Sequence, residues 1–244
     1  MTMDKIKQLQ EILQNSKNIV FFGGAGVSTE SGIPDFRSAD GLYHQKYDYP
    51  PEQILSHDFF FDKTKEFYKF YFDKMLDLSI KPNAAHKQLA KWEKLGKVKA
   101  IVTQNIDGLH QLAGSKMVYE LHGTVHKNRC TKCNKFYSAE DIIKFKGKGI
   151  PTCSCGGIIK PEVVLYNEGL DGATINGAVQ AIANADTLIV AGTSLTVYPA
   201  AGLIDYFRGK HLILINRDKT GRDVQAEIVI HEPVGETLAK INLK

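Results

Sequence analysis

The 244-residue chain has no apolar run near the roughly 20 residues needed to cross a bilayer, no internal repeat and no low-complexity linker. Its net charge of +4, from 31 Lys and Arg against 27 Asp and Glu, gives no dense basic stripe of the kind found in dedicated nucleic-acid binders. Residues 1–14 place aliphatic side chains at helical spacing among charges, which predicts an amphipathic helix and not a signal sequence. We therefore expect a cytoplasmic protein with no membrane partner and no dedicated nucleic-acid binding.

Cysteine is scarce, and its four copies form two close pairs, Cys130-x2-Cys133 and Cys153-x-Cys155. Two pairs separated by 19 residues are typical of a structural zinc site, because each pair forms a tight knuckle and the loop lets the knuckles converge on one ion. Two disulfides are the alternative, and the reducing compartment expected for this chain favours zinc. The one-residue gap in the second pair is tighter than usual, so we expect the two glycines after Cys155 to provide the turn.

Short segments rich in Val, Ile and Leu alternate with helical segments along the chain, which is typical of a parallel sheet covered by helices on both faces. The predicted fold class is therefore α/β, with a Rossmann-like parallel sheet. Asn83 predicts the start of a helix over residues 84–95, and another helix is expected over 174–183. The predicted strands cover residues 18–22, 98–103, 118–121, 187–191, 211–215 and 227–230.

Two segments interrupt this alternation, and we interpret both as insertions into one nucleotide-binding core. Residues 38–81 contain an aromatic-rich helix, and residues 126–159 contain the cysteine pairs. The predicted large domain is therefore discontinuous, comprising residues 1–37, 82–125 and 160–244. The helical and zinc-ribbon insertions together form the predicted small domain.

The first predicted strand leads into the glycine-rich segment 23–29 (GGAGVST), where small residues let backbone amides approach a pyrophosphate. Thr29 stands where the dinucleotide pattern G-x-G-x-x-G has its third glycine, so an ordinary strand-to-helix turn remains an alternative. Pro34 then stops any helix, and the chain continues with Asp35, Phe36 and Arg37. We expect this interrupted helix and its polar, aromatic loop to form a lid over the far end of a cofactor.

Polar or small residues follow several predicted strands, at the edge where parallel sheets bind ligands. Segment 103–110 (TQNIDGLH) ends the second strand, and its amide and carboxylate groups suit a ribose or a carboxamide, although its Asn or Asp could simply cap a helix. His122 ends the third strand; a lone histidine is commonly structural, but an ordinary pKa of about 6.5 also suits a general base. Segments 192–195 (GTSL) and 216–217 (NR) end two later strands, so one crevice is predicted.

Taken together and in order, these motifs resemble the sirtuins, the NAD-dependent protein lysine deacylases. The resemblance covers nearly the whole chain and rests on segments 24–38, 103–110, 122–123, 192–194 and 215–216 and on both cysteine pairs. It implies NAD as cosubstrate, one structural zinc ion per chain and acylated lysine in proteins as the substrate. It also implies that the acyl oxygen displaces nicotinamide to give an alkylimidate, and that His122 then removes a proton from the ribose hydroxyls so that the freed oxygen attacks the imidate carbon. Water then completes the release of lysine and O-acyl-ADP-ribose.

The resemblance also assigns roles to individual residues. His122 and Asn105 are the implied catalytic residues, and Ile106 and Asp107 are implied to hold the nicotinamide carboxamide. The segment Val163, Val164, Leu165 and Tyr166 is implied to pair with the backbone of the substrate peptide. The full set of implied NAD contacts is Gly24, Ala25, Gly26, Thr29, Asp35, Phe36, Arg37, Gln104, Asn105, Ile106, Asp107, His122, Gly192, Thr193, Ser194, Asn216 and Arg217.

The chain departs from the common sirtuin pattern in segments 160–162 (KPE) and 166–168 (YNE), where arginine, aspartate and a Phe-Gly pair are commoner. Sirtuins that prefer succinyl-lysine carry a Tyr-x-x-Arg pair, and this chain has Lys74 in place of the arginine, so we expect a preference for acetyl groups. Tyr71 of that pair alternatively packs in a core. Two other functions stay open: a mono-ADP-ribosyltransferase that uses the same NAD site, and a non-enzymatic zinc-ribbon protein with a basic, aromatic face.

Overall fold

The computed structural model describes residues 2–36, 41–42 and 47–244. The strands are β1 (Ile19–Gly23), β2 (Val98–Thr103), β3 (Val118–Glu120), β4 (Gly123–Cys130), β5 (Phe136–Ser138), β6 (Ile159–Val163), β7 (Thr187–Ala191), β8 (His211–Ile215) and β9 (Ile228–Ile230). The α-helices are α1 (Thr2–Asn15), α2 (Pro51–Ile54), α3 (His57–Asp62), α4 (Thr64–Phe70), α5 (Ala84–Lys94), α6 (Leu109–Leu112), α7 (Ala139–Ile143), α8 (Gly172–Asn184) and α9 (Val234–Ala239).

The main sheet contains six parallel strands in the order β3-β2-β1-β7-β8-β9. The α/β fold class with a Rossmann-like parallel sheet is therefore confirmed. Strand β1 lies between β2 and β7 and is buried along its whole length. Gly23 at its end pairs with Thr103 and Ala191, and Ala191 pairs with Ile215, so four strands end in one row at the same edge of the sheet.

Side chains of β1 alternate between two hydrophobic cores, because successive residues of a strand point to opposite faces. Ile19 and Phe21 pack in the core that also contains residues of α1, α5 and α9. Val20 and Phe22 pack in the core that contains residues of α8 and of the 3-10 helix Ala200–Tyr206. The sheet is thus covered by helices on both faces, as predicted. Within the described ranges, no helix combines the length and apolar character required to span a membrane.

Residues of both predicted insertions share a third hydrophobic core. Helices α2 to α4 pack there against a three-stranded antiparallel sheet of order β5-β4-β6. Tyr71 is 1% exposed and stacks on Phe67 with ring centroids 5.7 Å apart, so its side chain packs in this core. Strands β4 and β6 extend across the predicted boundaries at residues 125 and 160, and the division of the chain into two domains stays a prediction.

The segment after β1 forms two short 3-10 turns, Ala25–Val27 and Thr29–Ser31, where the sequence predicts a short, interrupted helix. Gly32 has a φ of 90° and ends the second turn, since this left-handed conformation favours glycine. The carboxylate of Glu30 accepts hydrogen bonds from the amides of Gly235 (2.5 Å) and Glu236 (3.1 Å) at the start of α9, which holds the second turn in place. Arg37, predicted to belong to the lid, lies outside the described residues.

Candidate functional site

Glycines let the segments that follow β1 and β7 pack directly against each other through their backbones. The amide of Gly24 donates to the carbonyl of Ala191 (3.2 Å), and the amide of Gly26 donates to the carbonyl of Gly192 (2.8 Å). A Cβ atom on Gly192 would lie 2.6 Å from the carbonyl carbon of Gly26, and the φ of Gly192 is 59°. Only glycine satisfies both conditions. We call the contact between Gly24, Gly26 and Gly192 the glycine crossing; it presents backbone without side chains, which suits a pyrophosphate.

A cavity of about 560 Å³ opens beside this crossing, at the carboxyl edge of the main sheet. It reaches from the loops after β7 and β8 to the segment that follows β6. The predicted site residues that line it are Ala25, Gly26, Thr29, Asp35, Phe36, Gln104, Asn105, Ile106, Asp107, His122, Val163, Val164, Leu165, Tyr166, Gly192, Thr193, Ser194, Asn216 and Arg217. Gly24 lies in the crossing beneath, where a Cβ atom would lie 2.8 Å from the carbonyl oxygen of Gly192. One crevice thus holds these residues, although their individual roles stay predictions.

A buried hydroxyl connects the glycine-rich segment to the loop after β2. Ser28 is 1% exposed. Its hydroxyl donates to Asp107 Oδ2 (2.7 Å) and accepts from Asn105 Nδ2 (3.1 Å). The other carboxylate oxygen of Asp107 accepts from the amide of Leu109 (2.9 Å) at the start of α6. The carboxylate of Asp107 therefore binds the first amide of α6, although Gly108 occupies the N-cap position, and it also holds the Ser28 hydroxyl. This contact with the helix does not exclude the predicted binding of a ligand.

His122 has a defined tautomer, because its Nδ1 lies 2.9 Å from the main-chain carbonyl of Gln104. A carbonyl oxygen only accepts, so Nδ1 carries the proton and Nε2 of the neutral ring is the nitrogen that can receive one. Burial lowers the pKa of His122 from its ordinary value, and the Gln104 hydrogen bond opposes that shift. The ring is therefore neutral at neutral pH, which is the state a general base requires.

The segment after β6 is fixed from both sides. The amide of Val164 donates to the carbonyl of His122 (2.9 Å), and the amide of Tyr166 donates to the carbonyl of Leu55 (2.8 Å). The carboxylate of Glu168 accepts from the amide of Leu165 (2.9 Å) and from Lys160 Nζ (3.0 Å). These bonds hold the backbone of the segment in place beside His122, which an added peptide strand would need.

Several lining residues have no counterpart in the sequence-based prediction. They include Ser28, Glu30, Ile33, Leu170, Val197, Lys219 and Glu232. Ser28 could have been found, since it stands inside the glycine-rich segment. Glu30 and Ile33 lie between the glycine-rich segment and the predicted lid. Leu170, Val197, Lys219 and Glu232 come from separate loops whose approach to the cavity depends on the tertiary fold, and no sequence motif marks those four. Asp35 and Arg217, which were predicted, lie 3.8 Å apart as an ion pair across the cavity.

The four cysteines converge on one point of the small sheet, with all sulfur atoms within 4.8 Å of one another. Cys130 Sγ lies 3.4 Å from Cys155 Sγ, and Cys133 Sγ lies 3.6 Å from Cys153 Sγ. A tetrahedral zinc ion with Zn–S bonds of about 2.3 Å requires sulfur atoms about 3.8 Å apart, so the thiols fit this ion. All four are free thiols and not disulfides. Gly156 has a φ of 81°, as expected for the tight second knuckle.

These features define a dinucleotide-binding α/β protein with a structural zinc module. A model of the Sir2 family matches residues 24–199. The chain therefore belongs to the Sir2 family, which confirms the resemblance drawn from its motifs.

Relatives and solved structures agree with this assignment. The chain is 58% identical to an NAD-dependent protein deacetylase of Clostridium perfringens and 59% identical to one of Clostridium acetobutylicum, covering 98% of both chains in each case. A Sir2 structure containing a deacetylated p53 peptide and 3'-O-acetyl ADP-ribose is 38% identical, with a TM-score of 0.89 and 96% of each chain covered. A complex of Sir2 with a p53 peptide and NAD+ is 39% identical, with a TM-score of 0.85 and 96% and 95% covered.

Proposed function

We propose that the protein is an NAD-dependent protein lysine deacetylase, which transfers the acetyl group of acetyl-lysine to ADP-ribose and releases nicotinamide. The observation that carries this proposal is that His122, the Asp107 loop and segment 163–166 line one cavity beside the glycine crossing. Membership of the Sir2 family and the name carried by the two Clostridium relatives support the same activity.

In the proposed complex, the pyrophosphate of NAD lies against the glycine crossing, where the lack of side chains allows a close approach to the backbone. Asn216 and Arg217 lie at the adenosine end, after β8, while Ile106 and Asp107 hold the nicotinamide carboxamide. NAD supplies an anomeric carbon from which nicotinamide can leave. Asn105 orients the reacting ribose, and its own side chain is held by the Ser28 hydroxyl at 3.1 Å.

His122 is the proposed general base. Its Nδ1–H bond to Gln104 holds the ring in one tautomer, and Nε2 accepts a proton from a ribose hydroxyl. Burial keeps the ring neutral by lowering its pKa. The substrate peptide pairs with the backbone of segment 163–166, whose Val164 amide is already bonded to the carbonyl of His122. The base and the segment proposed to pair with the peptide are therefore joined by a direct backbone hydrogen bond.

The zinc ion has a structural role in this proposal, because four thiolates fill a tetrahedral site and leave no position for substrate. We also propose a cytoplasmic location, since a site built from four free thiols suits a reducing compartment.

The test is nicotinamide release from NAD with three versions of one peptide, carrying acetyl-lysine, succinyl-lysine or unmodified lysine. We expect release with the acetyl peptide, in equal amount to O-acetyl-ADP-ribose, and none with unmodified lysine. The succinyl peptide should react more slowly, because Lys74 offers the cavity a point charge that pairs with Asp73 at 3.1 Å and lacks the two-pronged grip of arginine. Peptide-independent release with ADP-ribose attached to protein would indicate a mono-ADP-ribosyltransferase and contradict the proposal.

A further inference from the structure

Strand β4 holds two successive carbonyls of the loop that contains Asp107. The amide of Val125 donates to the carbonyl of Ile106 (3.0 Å). The side chain of the next residue, His126, contacts the carbonyl of Asp107 through Nε2 (3.1 Å). Since a carbonyl oxygen only accepts, Nε2 carries the proton in this contact. His126 is exposed and stands on the outer side of the loop, away from the cavity lining.

The imidazole of His126 also lies against the backbone of Gly108. A Cβ atom on Gly108 would lie 2.5 Å from both Cδ2 and Nε2 of His126. Gly108 has a φ of 69°, so glycine is favoured here for its conformation as well as for the space it leaves. The ring and the loop are thus fitted to each other, by one hydrogen bond and by direct packing.

The contact of His126 is connected to the proposed nicotinamide site through Asp107. Its main-chain carbonyl bonds His126, while its carboxylate bonds the Ser28 hydroxyl (2.7 Å) and the Leu109 amide (2.9 Å). Moving the backbone of Asp107 therefore moves the carboxylate, and with it the hydroxyl that holds Asn105. His126 itself touches none of the reacting groups, so any effect it has on the reaction is indirect.

We propose that His126 is a positioning residue, which fixes the backbone of Asp107 so that the nicotinamide carboxamide binds in one geometry. The inference rests on the proposed function for the identity of the ligand. It assigns a role to the His126 hydrogen bond that a surface histidine of a zinc-binding strand would not otherwise have.

Two substitutions at this position separate the hydrogen bond from the rest of the side chain. His126→Gln places an amide NH2 at the same number of bonds from Cα as Nε2, so the bond to the Asp107 carbonyl can form again. His126→Ala removes the donor. Lys127→Ala, the exposed neighbour on β4, is the matched control. We expect His126→Ala to raise the KM for NAD and the inhibition constant of nicotinamide about three- to tenfold, the range for one net hydrogen bond.

The KM for the acetyl-lysine peptide should stay within about twofold, and His126→Gln should restore both NAD-side constants, in line with loss and return of one bond. A purely structural role would lower the melting temperature and affect peptide and NAD constants alike. The proposal is overturned if His126→Gln behaves as His126→Ala, or if the peptide KM rises as much as the KM for NAD.

A second experiment, based on urea unfolding, needs no enzymatic activity. Gly108→Ala should lower the urea midpoint of unfolding, and it should lower it less in a His126→Ala background, because the collision with the ring is absent there. Equal shifts in both backgrounds would show that the ring does not pack on Gly108, and would overturn the inference. If the coupling is found while the wild type releases no nicotinamide with peptide, the proposed function fails and the contact between His126 and the loop stands.

Discussion

Replacing Ser28 with alanine tests whether the network around Asp107 organises the site. The Ser28 hydroxyl donates to Asp107 Oδ2 at 2.7 Å and accepts from Asn105 Nδ2 at 3.1 Å, and the residue is 1% exposed. The substitution removes one oxygen atom and creates almost no cavity. Its effect should therefore come from two lost hydrogen bonds, one to a carboxylate and one to an amide.

The free energy lost on substitution can be estimated from the two hydrogen-bond partners of Ser28. A hydrogen bond to a charged group contributes about 1.5–3 kcal/mol and a neutral one about 0.5–1.5 kcal/mol, so the loss is at most about 4.5 kcal/mol. Ser28 borders the cavity, and water can replace part of what the hydroxyl provides. We therefore expect about 2 kcal/mol, which corresponds to about a 30-fold weaker binding of NAD if the network must be ordered in the complex.

The measurement is NAD affinity by calorimetry, with urea unfolding of the same preparations. Ser31→Ala is a matched control, because the buried Ser31 hydroxyl has no hydrogen-bond partner among the residues described and lies in the adjacent 3-10 turn. It should leave NAD affinity unchanged. If Ser28→Ala binds NAD as tightly as Ser31→Ala, the network does not organise the cofactor site and the reasoning fails.

Two further predictions concern the base and the metal. Burial lowers the pKa of His122 and a base must be neutral, so the acid limb of the pH profile, where kcat falls with pH, should lie below about pH 6.5. His122→Ala should lower kcat about 10²- to 10⁴-fold and abolish this acid limb. An acid limb centred above pH 7 would contradict this. Metal analysis should find about one zinc per chain, and chelation should unfold the small sheet and release four titratable thiols; active, zinc-free protein with two disulfides would exclude a structural zinc.

The strands of the main sheet could be predicted closely, because each is a continuous aliphatic run with a clear end. The sequence predicts β2, β7 and β8 to the residue. It predicts β1 and β3 to within one residue at their ends. The segment after β1 is harder, since Glu30 is fixed by amides of α9, some 205 positions further along the chain. No local pattern records a contact at that distance.

The candidate site shows the same division. Residues that follow strands, such as Gln104, Thr193 and Asn216, are predictable because parallel strands end at one edge. The geometry of His122 is not, because its tautomer depends on a main-chain carbonyl contributed by Gln104. The role of Ser28 is likewise not predictable, because its hydroxyl bonds Asp107 and Asn105, which lie far away in the sequence.

One strand joins the proposed base, His122, to the four-cysteine site. Strand β4 begins at Gly123, immediately after His122, and ends at the zinc ligand Cys130. Gly123 has a φ of 73°, and a Cβ atom there would collide with the carbonyl oxygen of Glu162 in β6, so only glycine allows β4 and β6 to meet beside the base.

This arrangement lets a distant metal influence the cleft without taking part in the reaction. Cys130 pairs with Ile159 at one end of the β4–β6 ladder, and Gly123 pairs with Val163 at the other. Val163 leads directly into the Val164 amide that bonds the carbonyl of His122. The register of this ladder shifts between Gly123 and Asn128, so its two ends are connected through the continuous backbones of β4 and β6 and not through one uniform register. Because both strands run from the cysteine end to the cleft end, loosening the first should also loosen the second. Loss of zinc should therefore weaken peptide binding and misplace the base together, while the glycine crossing, built from β1 and β7, keeps its geometry.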